Sequence, residues 1–133
     1  MIMTQSKKIN EFPDKLSLED AGMKGSSRVF RLTSQFRYLS SYGCIYVPPL
    51  FETDGASIPK AFWNILSPFG DFFYAAVVHD FLYSKFNTEF RRDECDLIFK
   101  EAMFNVGVPW YRRETIYRAV RLFGGSSFKA ILP

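Results

Sequence analysis

The chain has 133 residues, enough to bury one core without metals or cross-links, and its apolar fraction of 47% is that of an ordinary globular protein. Its two cysteines, Cys44 and Cys95, fall on different expected elements, which excludes a disulfide framework and a zinc site of the usual spacing; they read as small buried hydrophobes in a reducing compartment. A net charge of +3 with scattered basic residues does not favour nucleic acid, whereas 18% aromatic content with 15 Phe suggests either a core built on rings or an apolar surface for a partner or membrane.

Residues 1–27 are polar and end in GMKGSS, which reads as a loosely ordered arm, with Phe12 and Leu16 able to dock on the body. No uninterrupted apolar segment follows the first lysines, so no signal peptide is expected, and no stretch approaches the roughly 20 apolar residues of a membrane span. These features point to the cytoplasm of the cell where the protein is made, with association to a virion also compatible. Residues 28–133 read as one globular domain. From Arg28 to Ser40 apolar and polar residues alternate, with Phe30, Leu32, Phe36 and Tyr38 on one face, the pattern of a half-buried strand. After a turn at Tyr42 and Gly43, residues 44–47 form a second strand that Pro48 and Pro49 stop.

Residues 50–70 read as a loop around a short helix, KAFWNILS. Asp54, Gly55 and Ser57 are turn formers, Pro59 suits a first helical position, and Asp71 stands where an N-cap would open the next helix. That helix carries His79, the single histidine, in the run AAVVHDFLY. At helical spacing Phe72, Ala75, Ala76, His79 and Tyr83 share a stripe, and Asp80 is turned about 100° away. A polar break at Asn87, Thr88 and Glu89 precedes a second helix, about Arg91 to Val106, with Asp96, Phe99 and Met103 on one stripe and Gly107 and Pro109 after its end. A third, residues 110–123, carries Ile116, Val120 and Phe123 and stops at Gly124 and Gly125; the last eight residues read as an extended surface segment. Arg112, Arg113, Arg118 and Arg121 read as a solvated helix face. The fold expected is α+β: a small N-terminal antiparallel hairpin or sheet packed on three helices, the first two an antiparallel pair.

The register of that pair follows from counting. With the turn centred at Thr88, His79 lies nine residues before it and Asp96 eight after, a level match to within about one residue, or roughly 1.5 Å of rise. Tyr83 and Asp93 match in the same way. Asp96 can then accept a hydrogen bond from one imidazole nitrogen and leave the other facing out, the geometry of an oriented general base. The bland alternative is a buried histidine satisfied by Asp96 that only locks two helices. A metal phosphohydrolase of the paired His-Asp kind is excluded because such sites need several histidines. A serine or cysteine triad is poorly supported, since the single histidine already has a local partner in Asp96.

Two resemblances add to this. The run VPPLFETDGASIPKAFW, followed by AAVVHDFLY, RRDECDLIF and IYRAVRLFGG, resembles a family of phage and prophage proteins catalogued as a domain of unknown function, over roughly residues 28–125. TDGAS, PFGDFFYAA, HDFLY and an aspartate on the next helix are similar to the core of bacterial secreted phospholipase A2 enzymes. That second resemblance implies that His79 activates a water against a lipid ester, that Asp96 holds its ring and that Tyr83 supplies a supporting hydroxyl. It also implies calcium, held by Asp80 and by the TDGAS loop through Asp54 and Gly55. The chain departs from those enzymes in having no disulfides, one glycine in the loop, and Leu82 where they have glycine. The partners implied are a lipid or membrane surface, or a phage or host protein if the same cluster serves only structure in a non-enzymatic accessory, virion or host-interaction protein.

Overall fold

The structure, a computed structural model, describes residues 11–55, 57–62 and 72–132. It is α+β, with antiparallel strands followed by three helices, and divides into two compact units, Met1–Asp54 and Gly55–Pro133.

Among the described residues the first unit holds five strands in two sheets. Strands β1 (Leu18–Lys24), β2 (Ser27–Leu32) and β5 (Glu52–Thr53) form one sheet in the order β1-β2-β5, and β3 (Phe36–Ser40) pairs with β4 (Gly43–Val47) in the other. Residues 18–24, read from sequence as the end of an arm, are thus a strand, and the Gly25–Ser26 pair inside GMKGSS is its hairpin turn. Lys24 pairs with Ser27, and the two-residue turn between them places Gly25 at φ 64°, the first central position at which a II′ turn favours glycine. The single strand expected from Arg28 to Ser40 is broken after Leu32. Thr33, Ser34 and Gln35 are exposed, so the chain bends there without loss to the core. Of the face expected inward, Leu32, Phe36 and Tyr38 are buried and Phe30 is part-buried, while Val29 on the other face is buried; Phe12 stacks on Tyr38 with ring centroids 4.6 Å apart. Cys44 is exposed, against expectation, because alternation along β4 turns Ile45 and Val47 inward instead; Cys95 is buried, and burial pushes its thiol up to about 12.

The second unit is built on α1 (Phe72–Tyr83), α2 (Arg92–Asn105) and α3 (Trp110–Phe123). Of the short helix expected over KAFWNILS, Lys60–Phe62 form a single 3-10 turn; the rest, with Trp63, Phe69 and the Asp71 cap, lies outside the described residues. The α1–α2 turn is held by Asn87, which is 3% exposed. Its amide nitrogen donates to the carbonyls of Leu82 and Phe90, both at 2.8 Å, and its oxygen accepts from the N–H groups of Glu89 and Phe90. One buried side chain thereby satisfies both ends of the turn and fixes the level at which α1 meets α2. At the start of α2, Glu94 reaches back to the Arg91 N–H at 2.9 Å. On α3, Ile116, Ala119 and Val120 are buried; Phe123, expected on that stripe, is exposed, because the helix ends there and Gly124 takes the inward position.

Candidate functional site

The site lies where α1, α2 and α3 face one another. Helical spacing puts His79 and Tyr83 on the buried stripe of α1, and Asp96 projects from the buried stripe of α2 at the same height. His79 Nε2 is 2.8 Å from Asp96 Oδ1, and the Tyr83 hydroxyl donates to the same oxygen at 2.6 Å. Arg121, on α3, donates from Nη1 to Asp96 Oδ2 at 2.6 Å. The Tyr83 oxygen in turn accepts from Arg92 Nε at 3.0 Å, and Arg92 Nη2 spans to the carbonyls of Val120 and Arg121 at the C-terminal end of α3.

Both His79 and Asp96 are wholly buried. The imidazole lies between the rings of Tyr83 and Phe99, at centroid distances of 4.1 and 4.4 Å. Burial alone would push the Asp96 carboxyl up, but the hydrogen bonds from His79, Tyr83 and Arg121 outweigh it and hold the group below its ordinary value. Burial pushes the Tyr83 phenol well above its ordinary value, and the neighbouring Asp96 carboxylate adds to that, so Tyr83 is a fixed donor. The hydrogen bond to Asp96 raises Arg121. Gly124 packs closely beside this group, since a Cβ there would stand 3.1 Å from the Tyr83 oxygen and the phenol would have to yield by a few tenths of an ångström. The following segment, read from sequence as an extended surface tail, is tied to the site: Lys129 N–H donates to the Tyr83 carbonyl at 2.6 Å and the Phe128 ring meets the Tyr83 ring edge-on at 5.1 Å.

The second imidazole nitrogen does not face out. His79 Nδ1 is 3.0 Å from Ser57 Oγ, and Ser57 Oγ is also hydrogen-bonded to Asp80 Oδ1. Asp80 accepts two further bonds, from the backbone N–H of Gly55 at 3.0 Å and of Ser57 at 3.3 Å. The result is a chain of polar atoms: Asp96, His79, Ser57, Asp80. Ser57 has one hydroxyl proton and two acceptors competing for it. With a single ring proton held on Nε2 toward Asp96, Nδ1 would be the nitrogen able to accept from Ser57; with both nitrogens protonated, Nδ1 would donate to Ser57 Oγ.

Of the residues expected at the site, the structure brings together His79, Asp96 and Tyr83, and joins Asp80 and Gly55 to them through Ser57. Asp54 is exposed and ends the first compact unit. Asp80 and Gly55 meet as carboxylate and N–H donor rather than as two ligands of one cation. Calcium needs six to eight oxygens, with loop carbonyls turned inward; among the described contacts of Asp80, the Gly55 N–H, the Ser57 N–H and the Ser57 hydroxyl are hydrogen-bond donors. Among the described residues no group of three or more His, Cys, Asp or Glu side chains could hold a metal ion. The described donors around Asp80 are not themselves calcium ligands.

Ser57 and Arg121 were missed as site members. The same counting used for His79 finds Arg121: about a turn centred on Val108, Asp96 lies twelve residues before and Arg121 thirteen after. Ser57 sits in a loop, which carries no such periodicity.

Residues 30–120 match the model of the family described as Protein of unknown function (DUF1353). The chain is also similar to "Uncharacterized protein y4jT" of Sinorhizobium fredii (strain NBRC 101917 / NGR234), at 35% identity over 100 residues. That match covers 72% of this chain and 29% of the relative, so the chain spans less than a third of that protein's length. No solved structure matches. No helix among the described residues is long and apolar enough to cross a membrane.

Two outcomes are expected from this geometry. Because Asp96 in the folded state lies below its unfolded value, its contribution is present above about pH 4 and is lost as pH falls through the folded value. Urea unfolding measured across pH should therefore show an acid-side loss of stability that is shallower in Asp96→Asn, a variant destabilised throughout by about 3–5 kcal/mol. An unchanged acid slope would contradict the assignment. Calorimetric titration of calcium into the full chain should give no saturable heat at millimolar concentration. Saturable binding that disappears in Asp80→Asn would show that the loop turns to present oxygens.

Proposed function

We propose that this chain, which belongs to the family described as Protein of unknown function (DUF1353), is an ester hydrolase in which His79 moves the proton of an attacking hydroxyl. One observation carries the reading: an imidazole is fixed by a buried carboxylate on Nε2 and stands within hydrogen-bond reach of a hydroxyl oxygen on Nδ1. An attacking oxygen, an acceptor for its proton and a third group that orients the acceptor are the parts that acyl transfer needs.

Asp96 sets the tautomer and stabilises the imidazolium that forms when Nδ1 takes a proton. Tyr83 and Arg121 keep Asp96 from rotating, so the ring does not have to be ordered during the reaction. The resemblance to phospholipase A2 favours a lipid ester among esters. The exposed apolar side chains of Leu122, Phe123 and Ile131 in the same unit offer contact to an acyl chain or a lipid surface. The calcium implied by that resemblance has no part in this reading.

A second reading is favoured by the complete burial of His79 and Asp96. In it the network locks α1, α2 and α3 together, and the chain is a non-enzymatic accessory, virion or host-interaction protein of a phage. Hydrolysis assays separate the two. The full chain should cleave p-nitrophenyl butyrate or phosphatidylcholine vesicles, and His79→Gln, which can keep a bond to both Asp96 and Ser57, should lower the rate by about 100-fold or more. A wild-type rate no higher than that of buffer, or an undiminished rate in His79→Gln, would leave the structural reading standing.

A further inference from the structure

We propose that the atom that attacks the ester is Ser57 Oγ, forming an acyl-serine intermediate, in place of the water that the phospholipase resemblance implies; this rests on the hydrolase reading. The Asp96–His79–Ser57 relay has one outlet. His79 and Asp96 are 0% exposed, and Ser57, at 5%, is its only member with any exposure. The imidazole nitrogen left over by Asp96 is filled by Ser57 Oγ at 3.0 Å, which is where a water would have to stand for His79 to activate it. The nucleophile is therefore part of the chain.

The same loop supplies donors for the charge that develops. The backbone N–H groups of Gly55 and Ser57 converge on an anion, the Asp80 carboxylate. Paired loop N–H groups that hold one oxyanion are suited to hold another. Asp80 thereby acts as a latch. It accepts the Ser57 hydroxyl proton in the resting arrangement and occupies the donors that an ester oxygen would use. Because Ser57 Oγ is already within hydrogen-bond reach of both acceptors, turning its proton from Asp80 to His79 needs only rotation of the hydroxyl hydrogen.

In the first step the Oγ–H proton passes to His79 Nδ1 as Oγ bonds to the carbonyl carbon, and the carbonyl π pair moves onto its oxygen. Collapse of the tetrahedral adduct breaks the carbon–oxygen bond to the alcohol, which leaves with the proton from Nδ1. Water then attacks the acyl-serine, giving a proton to Nδ1. Collapse releases the carboxylic acid and returns that proton to Oγ, so the enzyme is regenerated with one water consumed per ester.

The test is to incubate the full chain with an alkyl fluorophosphonate and locate the adduct by peptide mass. One adduct on Ser57 is expected in the wild type, formed at least about 100-fold more slowly in His79→Gln and faster in Asp80→Asn, where the competing carboxylate is gone. The wild-type adduct needs no variant to fold, and Ser57→Ala adds the second readout. If Ser57→Ala, folded by circular dichroism, still hydrolyses p-nitrophenyl butyrate at a rate that His79→Gln abolishes, water is the nucleophile; this proposal fails and the hydrolase reading survives. An adduct elsewhere, or none in a chain that hydrolyses esters, overturns it in the same way. No adduct and no hydrolysis overturns both.

Discussion

The second unit depends on the burial of one carboxylate. Taking a charged carboxylate from water into a protein interior costs several kcal/mol even after relaxation, and the cost is offset only if donors meet it in good geometry. Asp96 is met by three, an imidazole and a phenol from α1 and a guanidinium from α3, at 2.6 to 2.8 Å. Each donor arrives from a neighbour whose position is set by something else: Asn87 fixes the turn between α1 and α2, and Arg92 ties the start of α2 to the last carbonyls of α3. The carboxylate therefore makes the three helices interdependent. Loss of any one donor leaves a buried charge partly unmet.

That arrangement fixes the chemistry available to His79. With Nε2 committed to Asp96, all that the ring can exchange passes through Nδ1, and Nδ1 faces Ser57. Whether the cluster is a lock or a catalytic relay turns on the position of a single proton, shared among Asp80, Ser57 and His79. On the Asp80 side it leaves Ser57 as an acceptor, which a doubly protonated ring would satisfy. On the His79 side it makes Ser57 a nucleophile in waiting. The two loop N–H groups at Asp80 serve either state, because they bind negative charge whichever oxygen carries it.

Much of this was legible in the sequence because helices are periodic. The stripe from Phe72 to Tyr83, the stripe from Asp96 to Met103 and the level match of His79 with Asp96 follow from 3.6 residues per turn and a short connection. Arg121 was within reach of the same arithmetic, but as one of four scattered arginines on α3 it read as solvated surface. Ser57 was not legible: a loop has no period, and TDGAS suits a turn and a ligand loop equally well. For TDGAS the resemblance implies carbonyls turned toward a cation, whereas the described contacts of the loop are N–H groups donated to the Asp80 carboxylate. In the first unit, alternation identified the buried Leu32, Phe36 and Tyr38 but not the bend between them. That bend depends on which strands pair, and pairing is a long-range property.

Nitrogen-15 NMR of the imidazole tests the central claim most directly, since the chain has a single histidine. At neutral pH the account predicts one protonated, pyrrole-type nitrogen, assigned to Nε2 by its coupling across the hydrogen bond to Asp96. It predicts one unprotonated, pyridine-type nitrogen at Nδ1, shifted by Ser57→Ala. Two pyrrole-type signals would mean a ring that donates to both neighbours and has no lone pair to accept a proton from Ser57. His79 would then be a lock between helices and not a base.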